Sequence, residues 1–203
     1  MTCSIGIYVF DDVEVLDVSG LYEVFTCATR IGAQAMPDAP PFRVRTIGRT
    51  SALLRARAGL TVFPEADFAS VGIDVLIVPG GVIDAELDRL DVTAWIARIA
   101  RDCELVAAIG TGAFLLTQAG LLNGQQVAAH PPIVASTSRF PELQIEGKRH
   151  LAQNGAVVAA GGGTAGIDLA LHLVERLAGR KLAQATTRYL DYAWVGEESD
   201  RHG

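Results

Sequence analysis

The residues best suited to chemistry in this sequence are a carboxylate, Asp17, and a glycine hinge, Gly110-Thr111-Gly112. The hinge separates an apolar, partly β-branched run at 106–109, of the kind that forms a strand buried on both faces, from a good helix former at 113–118. Two glycines so close together let the backbone take a conformation that a Cβ would oppose, and let the bend approach whatever lies above it. Such a bend opens on a helix N-terminus, where free N–H groups and a partial positive charge suit an oxyanion. This is the pattern of a nucleophile elbow, yet the tip residue, Gly110, carries no nucleophile.

Asp17 lies in L-D-V-S-G-L-Y-E, where a helix begins after the first apolar run. It has two readings: an N-cap accepting first-turn N–H groups, or a rim carboxylate desolvated enough to exchange protons with a substrate. In Val78-Pro79-Gly80-Gly81 a buried strand runs into two glycines, giving either a tight turn or a place where the Gly81 N–H joins that of Thr111 in a two-donor oxyanion pocket. The run 161–166, G-G-G-T-A-G, matches a dinucleotide fingerprint, but no further strand with an acidic ribose partner follows it. It is read as a close-packed loop that borders the site and brings Gly163 and Thr164 to it, and no cofactor is expected. His130 follows an apolar stretch with no evident serine or cysteine partner, so a solvent-facing or structural role is open beside that of a base. His150 and His172 show no metal-like spacing, and no metal is expected.

These groups need elements to hold them. Residues 4–10 read as a strand, and Leu21, Val24, Phe25 and Ala28 then recur at helical spacing up to Gly32. Residues 42–46 and 53–58 look like short strands, the second near an edge because it carries Arg55 and Arg57. Another buried strand is expected at 75–78, a helix stripe at Trp95, Ile96, Ile99 and Ala100, and the central strand from Leu105. Asn154-Gly155 signals a hairpin between 143–145 and 157–160, and a last long helix at 167–177 ends at Gly179. Such alternation argues for an α/β protein with a mostly parallel sheet and helices on both faces, whose sites lie outside the carboxyl ends of the strands. One domain over 1–203 is expected, since no linker or repeat interrupts the pattern.

Half of the 203 residues are apolar and the net charge is −6, which argues against a nucleic-acid footprint and for a small-molecule partner. Three scattered cysteines, Cys3, Cys27 and Cys103, suggest neither disulfides nor zinc, and fit a reducing cytoplasm. The first apolar run stops at Asp11-Asp12 and no run reaches membrane length, so neither a signal peptide nor a membrane partner is expected. Glu197, Glu198 and Asp200 read as a solvated tail.

Taken together, L-D-V-S-G-L-Y-E-V-F at 16–25, V-P-G-G at 78–81, A-I-G-T-G-A-F-L-L at 108–116, L-L-N-G with His130, and A-G-G-G-T-A-G-I-D-L-A-L at 160–171 resemble the ThiJ/PfpI superfamily. That resemblance covers nearly the whole chain and implies a flavodoxin-like, doubly wound domain related to class I glutamine amidotransferases, usually a homodimer. An interface could use the aromatic end at 189–194, which could equally cap its own core. Within the superfamily the sequence looks most like isonitrile hydratases and the sensor domains of AraC-type regulators. Isonitrile hydratases add water to an isocyanide carbon to give an N-substituted formamide. By resemblance, an elbow cysteine attacks that carbon and a carboxylate matching Asp17 supplies or takes protons.

Here the cysteine position is Gly110, and none of the three cysteines falls on the elbow. Gly110 is then an introduced change in a thiol enzyme, the mark of a binding protein that has lost its chemistry, or a vacated space in which Asp17 runs acid/base hydration, dehydration or ring closure without a covalent step. Regulators of this branch carry two helix-turn-helix units, and no basic recognition helix is present in this sequence, so direct contact with nucleic acid is not expected.

Overall fold

The computed structural model describes residues 1–69, 72–122, 126–128, 144–146, 152–154 and 156–194, and gives no side-chain detail at 126–128, 144–146 and 152–154. His130, His150 and the acidic tail lie outside the described residues. Along the chain run β1 (Cys3–Tyr8), α1 (Val15–Ala35), β2 (Phe42–Gly48), β3 (Leu54–Arg55), β4 (Thr61–Val62), β5 (Ala66–Asp67) and β6 (Val75–Val78). Then come α2 (Asp84–Leu87), α3 (Leu90–Ile99), β7 (Leu105–Ile109), α4 (Gly112–Gln118), β8 (Gln126–Ala128), β9 (Gln144–Glu146), β10 (Ala152–Asn154), β11 (Val157–Ala160), α5 (Ala165–Ala178) and α6 (Arg180–Tyr189).

The main sheet has the order β10-β11-β7-β6-β1-β2-β5, and every pairing in it except β10 with β11 is parallel. All residues of β6 and β7 are buried, as the unbroken apolar runs V-L-I-V and L-V-A-A-I require of central strands covered on both faces. The covering helices form two groups that pack among themselves, α1 with α5 and α6, and α2 with α3 and α4. After β1 the chain moves to β2 on one side, and it later returns to β6 on the other. The crevice outside the carboxyl ends of β1 and β6 is therefore the switch point of the sheet, where α/β folds bind ligands.

Several local expectations change. The run 53–58 is not a full strand: only Leu54–Arg55 pair, with β4, in a separate two-stranded ribbon closed by a turn at Arg57–Gly59. The ribbon is drawn over the sheet end by tertiary bonds, from the Asp12 N–H to the Arg55 carbonyl (2.7 Å) and from the Arg57 N–H to the Val13 carbonyl (3.0 Å). The hairpin before β11 forms, but its first strand is β10, while β9 pairs in parallel with β8. At the carboxyl end, Leu190, Tyr192 and Trp194 pack on the core and the Tyr192 hydroxyl donates to Asp168 (3.1 Å), so this aromatic end caps its own fold.

Two features set the geometry around the sheet end. Glu86, 2 % exposed, receives the Tyr8 hydroxyl and the Arg89 guanidinium, and so ties α2 and the residue that opens α3 to the end of β1. Burial, followed by the charge and hydrogen bond of Glu86, pushes the Tyr8 phenol far above its usual range. Gly112 starts α4 against the end of β6, where an added Cβ would lie 2.1 Å from the Val78 carbonyl oxygen and 2.7 Å from that of Pro79. Both neighbours are backbone and cannot turn aside. Gly112→Ala is therefore expected to lose about 3 kcal/mol or more of unfolding free energy, the upper end of overpacking costs. Gly72→Ala, with no atom within 4 Å of the added methyl, should stay within about 1 kcal/mol of the parent. Urea midpoints of the two variants check the contrast.

Candidate functional site

Four successive loops at the carboxyl ends of β1, β6, β7 and β11 converge on a cleft of about 290 Å³. Asp17 is part of its lining. The residue lies in the first turn of α1 but does not cap it: the cap position is Glu14, and no side chain caps that helix. Its carboxylate instead reaches across the sheet end, where Oδ2 accepts the Gly80 N–H (3.0 Å) and Oδ1 the Gly163 N–H (3.1 Å). Asp17 is only 2 % exposed. Burial raises its pKa from 3.8 to about 6, the two amide bonds pull the other way, and the nearby Glu14 charge adds to the rise.

The β7–α4 bend passes between these amides. Gly110 has φ = +53°, a left-handed conformation that costs a residue with a Cβ and suits glycine. Its N–H is held by the Ala160 carbonyl (2.9 Å). Gly162 and Gly163 form the opposite wall, and a Cβ built at Gly162 would approach nothing nearer than the Gly110 Cα, at 4.0 Å. The position of an elbow nucleophile therefore opens onto a floor of bare backbone.

The structure also brings Gly81 and Thr111 together, but joins them to each other. The Thr111 hydroxyl accepts the Gly81 N–H (2.8 Å) and donates to the Gly81 carbonyl (2.9 Å). The Gly81 amide expected in a two-donor pocket is thus engaged, and at the start of α4 the Ala113 and Phe114 N–H groups are taken by the Gly110 (3.3 Å) and Thr111 (3.0 Å) carbonyls. Gly163 lines the cleft, with its N–H engaged by Asp17. Thr164 does not: it is exposed and stands at the N-cap position before α5.

Glu14 and Arg57 also line the cleft, and the sequence did not single them out. Their guanidinium–carboxylate contact is 3.4 Å, between half-exposed side chains. The one signal was a pair of arginines in an otherwise apolar run, which reads as edge-strand charge until the ribbon folds over the cleft. The cysteines stand elsewhere. Burial, then the charges of Asp74 and Glu104, raises Cys3 to about 11, and burial, then Asp102 and Asp74, raises Cys103 to about 11. Both precede or begin strands at the opposite end of the sheet, while Cys27 is buried within α1. Among the described residues no group of three His, Cys, Asp or Glu could hold a metal ion, and no helix is long and apolar enough to cross a membrane.

The family model described as "DJ-1/PfpI family" matches residues 3–176. The chain belongs to the DJ-1/PfpI family. It is 30 % identical to the isonitrile hydratase of Pseudomonas putida over 95 % of this chain and 80 % of that protein. It is 28 % identical to the HTH-type transcriptional regulator GbdR of Pseudomonas aeruginosa over 97 % of this chain, which spans only 53 % of the regulator's length. The crystal structure of Drosophila melanogaster DJ-1beta superposes with a TM-score of 0.78 at 19 % identity, covering 96 % of this chain and all of that one, and so shares the fold. This family fold thus carries both an enzyme and regulators among the relatives of the chain.

The pKa of Asp17 makes stability depend on pH. A carboxyl whose folded pKa is raised favours the fold while protonated, so its contribution is complete below 3.8 and is lost as pH rises through about 6. A shift of roughly two units corresponds to about 3 kcal/mol. The unfolding free energy of the wild type relative to Asp17→Asn is expected to fall by up to that amount between pH 4 and pH 7.5. A constant difference across that range would mean that Asp17 titrates as an exposed carboxyl does.

Proposed function

We propose that the cleft hydrates a small isocyanide to the N-substituted formamide by acid/base catalysis at Asp17, without a covalent intermediate. The observation that carries this reading is the buried Asp17 carboxyl, held by two amides over the bare Gly110 bend with a pKa of about 6. A carboxyl near that value exchanges protons readily at physiological pH. The similarity to an isonitrile hydratase supports the substrate class.

In the proposed step, protonated Asp17 gives its proton to the isocyanide carbon, R–N≡C, which becomes a nitrilium ion. A water oxygen then bonds to that carbon and gives a proton back to the Asp17 carboxylate. The product, R–N=CH–OH, tautomerises to R–NH–CHO, and one water has been added with Asp17 restored. The space over Gly110 admits that water where a thiol would otherwise stand. Positioned acid/base catalysis contributes typically about 10²–10⁴-fold, enough for a substrate already reactive toward acid.

A second reading is a small-molecule sensor that performs no chemistry, favoured by the missing nucleophile at Gly110 and by the similarity to a transcriptional regulator. The two differ in turnover. Hydration of isocyanides, followed by formamide production, should fall about tenfold for each pH unit above 6, because the acid form of Asp17 is consumed. It should vanish in Asp17→Asn with folding retained. Ligand-dependent stabilisation without any formamide would instead assign the sensor role.

Gly110→Cys tests the elbow directly. The introduced thiol, next to the start of α4, is expected to titrate well below free cysteine, at about pH 7 or lower. It should then be alkylated by iodoacetamide at pH 6.5, while Cys3 and Cys103, both pushed up to about 11, stay unmodified. An introduced thiol with ordinary reactivity would remove the elbow assignment.

A further inference from the structure

We infer that Arg57 is the substrate-recognition residue of the cleft and that it selects a ligand carrying a carboxylate. The assignment rests on the cleft being the isocyanide-hydrating site. An occupant that reaches Asp17 lies against Gly80, Gly110, Gly162 and Gly163, whose backbones give it little to grip. The Thr111 hydroxyl is engaged with Gly81 in both directions. Specificity therefore falls to the two charged groups at the mouth, Glu14 and Arg57.

Arg57 is held there by the fold. Its N–H donates to the Val13 carbonyl (3.0 Å), the Arg55 N–H is taken by the Asp11 carboxylate (2.8 Å), and the Asp12 N–H bonds the Arg55 carbonyl (2.7 Å). The following residue, Ala58, sits at φ = +60°, a conformation that a residue with a Cβ rarely adopts and that persists only where its surroundings enforce it. The ribbon is thus pinned at Arg55 and at Arg57 itself by the loop that leads into α1.

The guanidinium itself is underused. Its Nη1 meets Glu14 at 3.4 Å, a weak pair in solvent, while Nε and Nη2 donate to no described residue. A planar fork with free donors at the mouth of a small cleft matches a carboxylate in two-point contact. Glu14 then acts as the internal competitor that such a ligand displaces.

Calorimetric titration with N-formylglycine and its methyl ester, the hydration products of isocyanoacetate and its ester, tests the assignment without requiring turnover. The wild type is expected to bind the acid roughly ten- to hundredfold more tightly than the ester, the factor that charge-assisted hydrogen bonds supply. Arg57→Gln should abolish that preference and leave ester binding unchanged, and Glu14→Gln should strengthen acid binding severalfold. A wild type that binds both alike or neither, or an Arg57→Gln variant that weakens both equally, would overturn it. The hydration reading fails separately: acid-selective binding that depends on Arg57, with no formamide formed from isocyanoacetate, would refute the chemistry and keep the recognition.

Discussion

The site depends on one carboxylate that accepts two backbone amides from loops on either side of β7. Asp17 leaves the end of β1, Gly80 follows β6 and Gly163 follows β11, so the two bonds bridge across the bend at Gly110. In the absence of burial, amide bonds of this kind hold a carboxylate well below its ordinary pKa. Here desolvation outweighs them and the value rises to about 6. The same group therefore ties the sheet end together and titrates closer to neutral pH than an ordinary carboxyl. A surface carboxylate could do neither.

The second constraint is space. Gly112 lets α4 begin directly against the end of β6, and Gly110 takes the left-handed turn at the bend that lines the cleft with Asp17. With glycine at the tip and Gly162 and Gly163 opposite, the floor of the cleft is main chain, and its charged side chains, Glu14, Asp17 and Arg57, stand around it. This fits a family in which one fold serves an isonitrile hydratase and transcriptional regulators. A pocket whose floor carries no reactive group can be turned toward catalysis or toward sensing by the few side chains around it.

Much of the fold was legible because its signals are local. The buried strands at 75–78 and 105–109, the helix stripe at Trp95, Ile96 and Ile99 and the stop at Gly179 follow from periodicity and from the backbone demands of single residues. The run at 53–58 misled because two arginines beside apolar residues look the same on an edge strand and on a ribbon folded over a cleft. The hairpin turn was visible, but its first strand was misplaced, since alternation alone does not choose between neighbouring short segments.

By itself the sequence determined that a parallel sheet would end in glycine-rich bends, that one bend would lack a nucleophile, and that a carboxylate would sit near a helix start. It left Asp17 open between cap and proton carrier, and it missed Glu14 and Arg57. Only the tertiary structure decided these points. The partners of Asp17 lie 63 and 146 residues away in the chain, and Arg57 meets Glu14 across 43. No local pattern encodes which backbone amides a buried carboxylate will find, because that choice is made by the order of the strands and by the space their ends leave between them.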